Sequence, residues 1–315
     1  MWNILVQIFP YAVAFTIPLL ITALGGLFSE RSGVVNIGLE GLMVIGMFTA
    51  AIVISKTELN SPGVSILLGL LAALLVSALF AMLHAFACVS LNANQVISGI
   101  AINMVAGALT TYLARFITGS GNIQIIHGLG RHKVPALSEI PLLGKLIFTQ
   151  SYLTTWLVLA ILLTASFALY RTRFGLRLRS CGEHPHAADS AGINVYRMRY
   201  SAVMISGACA GLGGAIFLVT VSGEFNGTAA GMGFLALAAL IFGQWKPFGI
   251  LGATFFFGFA STIANVSQAV PALAQIPGIF LKTFPYIITL AALVVFSKSS
   301  QAPKAAGEPY DKGKR

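Results

Sequence analysis

The sequence predicts an all-α polytopic membrane protein of about nine transmembrane helices (eight to ten), and three observations carry that prediction. Of the 315 residues, 57% are hydrophobic and 9% charged, against roughly 25% charged in an ordinary soluble domain. The apolar residues fall in many separate blocks, each near the roughly 20 residues that a bilayer core needs. The Lys and Arg residues gather on alternate sides of those blocks, as cytoplasmic loops do.

Taken in order, the first four blocks are 4–27, 37–54, 64–91 and 95–117. Five more follow a polar interval, at 152–170, 200–222, 228–243, 249–268 and 284–297, the seventh being the shortest at sixteen residues. One set of alternate loops holds Arg31, the six arginines between Arg171 and Arg199, Lys246, and the basic residues from Lys298 to Arg315, thirteen in all. The other set holds six: Lys56, Arg115, Arg131, Lys133, Lys145 and Lys282. The excess of basic residues places the first set inside, so the N-terminus is expected outside and the C-terminus in the cytoplasm.

Residues 1–297 then form a single transmembrane domain, with an external loop at 118–150 rich in Gly and Pro and a cytoplasmic segment at 171–199. The tail, 298–315, carries Pro303, Gly307, Pro309 and Gly313 and little apolar surface, and is expected to be disordered. A weak internal repeat pairs Gly33-Val-Val-Asn36-Ile-Gly38 with Gly223-Glu-Phe-Asn226-Gly227, each followed one helix later by a Pro start, at Pro62 and Pro247. The two copies lie on opposite sides of the predicted membrane, the relation of an inverted repeat with broken helices.

The net charge of +10 and pI near 9.8 are explained by helix orientation rather than by nucleic-acid binding. No Gly-x-x-x-x-Gly-Lys-Ser/Thr loop occurs, so ATP would have to be bound by a partner chain. No metal-ligand spacing, nucleophile–base pair or paired carboxylates point to an enzyme, and Cys88, Cys181 and Cys209 suggest neither a metal site nor a structural disulfide.

The cytoplasmic segment is the most informative. From Glu183 to Gly192 runs a short helix-forming stretch, with Gly182 and Pro185 before it and Gly192-Ile193-Asn194 after it. Ala187, Ala188 and Ala191 would give that helix a small-residue face suited to a groove on another protein. Glu183, Ala187, Ala188, Gly192, Ile193 and Asn194 resemble the coupling-helix signature of ATP-binding-cassette importer permeases, and Ser206 to Ala215 looks like the small-residue helix that follows it there.

Arg31 to Met43, with Gly33, Asn36, Gly38, Glu40 and Gly41, resembles the nucleoside branch of the permeases related to the ribose importer. The Gly-rich stretch from Gly231 to Gly252 is similar to their second-half motif. The resemblance implies a non-enzymatic subunit of a bacterial cytoplasmic (inner) membrane importer of nucleosides. Its implied partners are a second homologous permease, a cytoplasmic ATPase and an extracellular substrate-binding lipoprotein, with membrane lipid around them.

Candidate residues for the substrate pathway are Asn36, Glu40, Asn103, Phe225, Asn226, Gln244 and Trp245, with Phe234 and Asn265 beside them. Amides suit a solute carrying both donors and acceptors, and aromatic rings suit a base. Helix packing is the ordinary alternative for each amide. A carboxylate at Glu40 costs about 2.5–3.5 kcal/mol within a span on insertion scales, so it must pair, protonate or face water. Contact with substrate and a structural cap are both open for it. The alternative cargoes are a pentose, another simple sugar or a branched-chain amino acid. A gradient-driven secondary transporter using Glu40 as proton carrier is the rival class.

Overall fold

The structure is a computed structural model that describes residues 2–59, 61–135, 137–141, 144–266 and 301–313, together with 280, 283 and 287. The long helices are α1 (Trp2–Arg31), α2 (Leu39–Thr57), α3 (Pro62–Ala85), α4 (Gln95–Thr118), α5 (Leu153–Arg171), α8 (Val195–Phe217) and α10 (Pro247–Val266). Three short ones join them: α6 (Arg173–Glu183), α7 (Pro185–Ser190) and α9 (Met232–Phe242). Among the described residues, seven helices are long and apolar enough to cross a membrane. The ninth predicted block, 284–297, and the side chain of Asn265 lie outside the described residues.

Local sequence explains the helix boundaries. Pro62 and Pro247 open α3 and α10, where a missing N–H costs nothing. Asn94 and Asn194 cap α4 and α8 by accepting from the N–H groups of Val96 and Arg197 at 2.9 Å each. The C-terminal turns of α3 and α8 widen into π-helical stretches at Phe86–Ser90 and Leu218–Ser222.

Helices α1, α2 and α8 form the centre. The membrane-length windows of α1 and α8 are 89% and 78% buried, whereas that of α4 is 22% buried. The small residues of α8 let neighbouring backbones come close. A Cβ on Gly211 would meet Ser77 and Ala73 of α3, and one on Gly214 would overlap the Met43 backbone of α2. Around this centre, α3, α4 and α5 present Leu67, Met104, Phe116 and Phe167 outward, a surface suited to lipid or to another membrane subunit.

The seventh predicted block is a broken crossing. Its helical part, α9, has 11 residues and extends about 16 Å at 1.5 Å per residue, half the bilayer core. The chain leading into it is non-helical: Glu224 and Phe225 pair antiparallel with Gln124 and Ile123 at one end of the bundle, and α9 finishes beside Arg31 at the other. The first repeat copy behaves the same way in the opposite sense. Residues 32–38 are non-helical, and α2 leaves them to run away from the α6–α7 end, while α9 runs toward it.

The segment 171–199 holds two helices where one was expected. His184, at φ −151° and ψ 80°, interrupts the helix because the residue before a proline is driven into extended backbone. Glu183 therefore ends α6, and α7 starts at Pro185. The tail also differs from the expectation of disorder: residues 301–313 lie against α6, α7 and α8, with Ala305 and Tyr310 only 5% and 3% exposed. Three buried residues, Pro303, Ala305 and Tyr310, and a few hydrogen bonds hold it, without the long apolar run that sequence reading looks for.

Candidate functional site

The break at 32–38 puts peptide groups without helical partners inside an apolar bundle, where each unsatisfied group costs several kcal/mol. Polar side chains from three other helices meet that need. Arg199 of α8 donates from Nε to the Ser32 carbonyl at 3.3 Å. His84 of α3 donates from Nε2 to the Val35 carbonyl at 3.1 Å, its Nδ1 accepting from Ser98 at 2.9 Å. Gln95 of α4 accepts from the Val35 N–H at 2.6 Å. Asn36 accepts from the Gly38 N–H at 3.1 Å and donates to Ser206 at 2.9 Å. Arg199 and Ser206 are about 10 Å apart along α8 at 1.5 Å per residue, so the break climbs well into the bundle.

At its upper end the break meets α9. Glu40 accepts from the Gly231 N–H through Oε1 at 3.0 Å and from the Gly233 N–H through Oε2 at 2.7 Å. These are orphan donors of the first turn, so the carboxylate caps α9. Asn103 clasps the start of α2 by accepting from the Gly41 N–H at 2.7 Å and donating to the Ile37 carbonyl at 3.0 Å. The N-termini of α2 and of the half-length α9 thus converge at Glu40, an arrangement that lines solute sites in helix-broken membrane proteins.

Asn36, Glu40 and Asn103 are brought together here. Asn36 is fully buried, while Glu40 and Asn103 are partly exposed. Phe225 is fully buried and packs edge-on against Phe48 at 5.4 Å, so its ring belongs to the core. Asn226 is exposed on the extended part of the second break, and Phe234, 49% exposed, stands in the first turn of α9. The open faces of Glu40, Asn103, Asn226 and Phe234 offer two acceptors, two amides and an aromatic ring.

Gln244 and Trp245 lie elsewhere, in the turn after α9, both at positive φ of 51°. Trp245 is 6% exposed and its indole N–H donates to Glu30 at 2.5 Å. Its carbonyl accepts from Arg31 Nη2 at 2.8 Å, and Arg31 Nη1 reaches Glu183 of α6 at 3.8 Å. The ring is thereby used up in fastening α9 and α10 to the end of α1, so the stacking role expected for Trp245 is not what this geometry offers. Gln244 accepts from the Gln301 N–H at 3.2 Å.

Around α7, Ala187, Ala191 and Gly192 are exposed and Ile193 is half-buried. Gly192 takes φ +81° with open space about it, which closes the turn into α8. Ala188 departs from the expected outward face: it is 4% exposed and packs with Cys181, Val195 and Tyr310 in a small buried cluster. Sequence reading missed Ser98, His84, Gln95 and Arg199, although lone polar residues in or beside apolar blocks are a signal in themselves.

The opposite end has its own anchor. Glu58, 2% exposed, accepts from the N–H groups of Ile126 and His127 at 3.0 Å each, and His127 Nδ1 lies 3.7 Å from the same carboxylate. It ties the end of α2 to the loop that pairs with the second break. Hydrogen bonds to a charged group are worth about 1.5–3 kcal/mol each. Glu58→Ala should therefore free the 123–133 loop, and limited trypsin digestion at Arg131 and Lys133 should run on the order of ten times faster. An unchanged digestion rate would mean that other contacts hold the loop.

Against known proteins, residues 8–293 match the family described as branched-chain amino acid transport system / permease component. The chain is 47% identical to the guanosine ABC transporter permease protein NupQ of Bacillus subtilis, over 99% of both chains. It is 42% identical to the nucleoside ABC transporter permease protein NupC of Lactococcus lactis, over 95% of both. A putative glucose ABC transporter permease protein of Haloferax volcanii, TsgC13, is 33% identical over 87% of both.

Proposed function

Because the chain belongs to the branched-chain amino acid transport system permease family, we propose that it is the membrane-spanning permease subunit of an ATP-binding-cassette importer that brings nucleosides into the cell. The observation that carries this reading is near-full-length identity of 47% and 42% to permeases of guanosine and nucleoside transporters. In this reading the α6–α7 end faces the cytoplasm of a bacterial cell, and a partner ATPase docks on the exposed small residues of α7. A second permease covers part of the outward apolar surface of α3, α4 and α5, and a binding lipoprotein delivers solute near Glu58 and the 123–133 loop.

ATP-driven closure of the ATPases moves α6 and α7, and the solute passes the converging breaks. Glu40, Asn103, Asn226 and Phe234 are the residues we assign to its path, since they combine polar groups with access. Asn36, Phe225, Gln244 and Trp245 serve as its scaffold. Glu40 uses both oxygens as acceptors of backbone N–H groups, a fixed role that suits a cap better than a mobile proton carrier.

The test is uptake of labelled guanosine, uridine, adenosine, ribose and glucose in cells with and without this gene, with an uncoupler present and ATP held constant. Gene-dependent nucleoside uptake that survives the uncoupler is expected. Uptake confined to a sugar would move the cargo to that branch, and uptake abolished by the uncoupler would replace the importer with a secondary transporter.

A further inference from the structure

We propose that the carboxy-terminal segment 301–313 is a strap that mechanically joins the ATPase-facing helix α7 to the broken segment 32–38, so that the two move as one. The inference rests on the importer reading. Its physical basis is a continuous series of contacts on both sides of the strap.

On the α7 side, Tyr310 is 3% exposed and fills the cluster with Ala188, Cys181 and Val195. Its ring lies 5.1 Å from that of His186 and 5.5 Å from that of Tyr196. Lys312 reaches Asp189 at 3.7 Å. Exposed pairs of this kind contribute little by themselves, so Tyr310 is the fastening that matters.

On the other side, the Ala305 N–H donates to the Gly182 carbonyl at 2.9 Å, and the Gly307 N–H donates to the Gly33 carbonyl at 3.2 Å. Arg199 completes the junction. Fully buried, it donates from Nη1 to the Glu308 carbonyl at 3.1 Å and from Nε to the Ser32 carbonyl at 3.3 Å, so one guanidinium holds the strap and the break together. Gly33, at φ +94°, is where they touch, and a Cβ there would come within 2.7 Å of Arg199 Nη2 and 3.2 Å of the Ala305 carbonyl oxygen. From Gly33 the break continues through Asn36 to the Glu40 cap.

Helix α7 has only six residues, too short to be rigid alone. Helix α6 does touch the break directly, since a Cβ on Gly182 would lie 3.1 Å from the Gly33 nitrogen. The strap adds the attachment of α7 itself. It also binds the inner face of α7, leaving Ala187, Ala191 and Gly192 free for the ATPase.

The strap covers Cys181, a fully buried thiol that burial pushes up to about 11. That gives a readout independent of transport. In the reconstituted complete importer, with Cys88→Ala and Cys209→Ala as background, Cys181 should react slowly with maleimide. Tyr310→Ala, or truncation after Gln301, should speed labelling on the order of tenfold, because exposure of the thiol restores its reactive thiolate.

Solute moved per ATP hydrolysed should fall at least about fivefold in Tyr310→Ala, the lower range of ordinary coupling effects. Tyr310→Phe, which keeps the ring, should retain the full ratio. The proposal is overturned if labelling is unchanged in both Tyr310→Ala and the truncation, or if the thiol is released while the ratio stays at the full-length value. A full-length complex without ATP-driven uptake would instead overturn the importer reading, and the labelling rates would still decide whether the strap covers α7.

Discussion

Glu40→Gln is expected to reduce ATP-dependent uptake by roughly thirtyfold for every transported nucleoside alike, without preventing assembly. The carboxylate accepts two N–H groups through two separate oxygens, Gly231 at 3.0 Å and Gly233 at 2.7 Å. A glutamine keeps one acceptor and turns its NH2 toward the other N–H, leaving that donor unpaired. Loss of a charged cap and one unpaired buried donor together amount to about 2 kcal/mol, which is the thirtyfold. Because α9 would be displaced rather than one solute contact removed, the maximal rate should fall while the order of preference among guanosine, uridine and adenosine is kept. A loss confined to one nucleoside would instead make Glu40 a contact for that solute.

Gly214→Val should remove nearly all assembled permease from the membrane. At this position α2 and α8 cross with a Cβ overlapping the Met43 carbonyl, and Gly46 meets Gly211 in the same crossing. The obstacle is backbone on both sides, so no side-chain rotation relieves it. Overpacking in cores costs about 1–3 kcal/mol even where side chains can shift, and here more, against a total stability of about 5–15 kcal/mol. The control is Gly252→Ala on α10, which meets nothing within 4 Å and should hold or raise stability by up to about 1 kcal/mol. Size-exclusion profiles of detergent extracts after a temperature ramp measure both. A monodisperse Gly214→Val peak at the unsubstituted melting temperature would mean that the two helices are not this close.

What the sequence made legible is what depends on neighbours along the chain. The apolar blocks, the proline starts at Pro62 and Pro247, the small-residue run from Ser206 to Ala215 and the two Gly-Asn breaks all follow from composition within a few residues. The partners of the polar residues do not. Glu40 finds its donors 191 and 193 residues away, and Trp245 finds Glu30 at a separation of 215. Arg199 reads as one more basic loop residue until the fold buries it between a break and the tail. Ala188 and Ala187 are indistinguishable by composition, and only the position of Tyr310 decides which faces inward. Resemblance to known permeases marks Arg31 to Met43 and Glu183 to Asn194 as segments of interest, while the division into path and scaffold needs coordinates.

The bond between Trp245 and Glu30 has a use beyond fastening helices. The chain has three tryptophans, Trp2, Trp156 and Trp245, and Trp245 is buried with its indole on a carboxylate at the end of the bundle that carries α6 and α7. With the other two replaced by phenylalanine, its ultraviolet emission becomes an optical gauge built into the protein. The colour and lifetime of that light depend on the distance to Glu30, so each turnover of the transporter would write its own trace in a stopped-flow fluorimeter, with no dye attached.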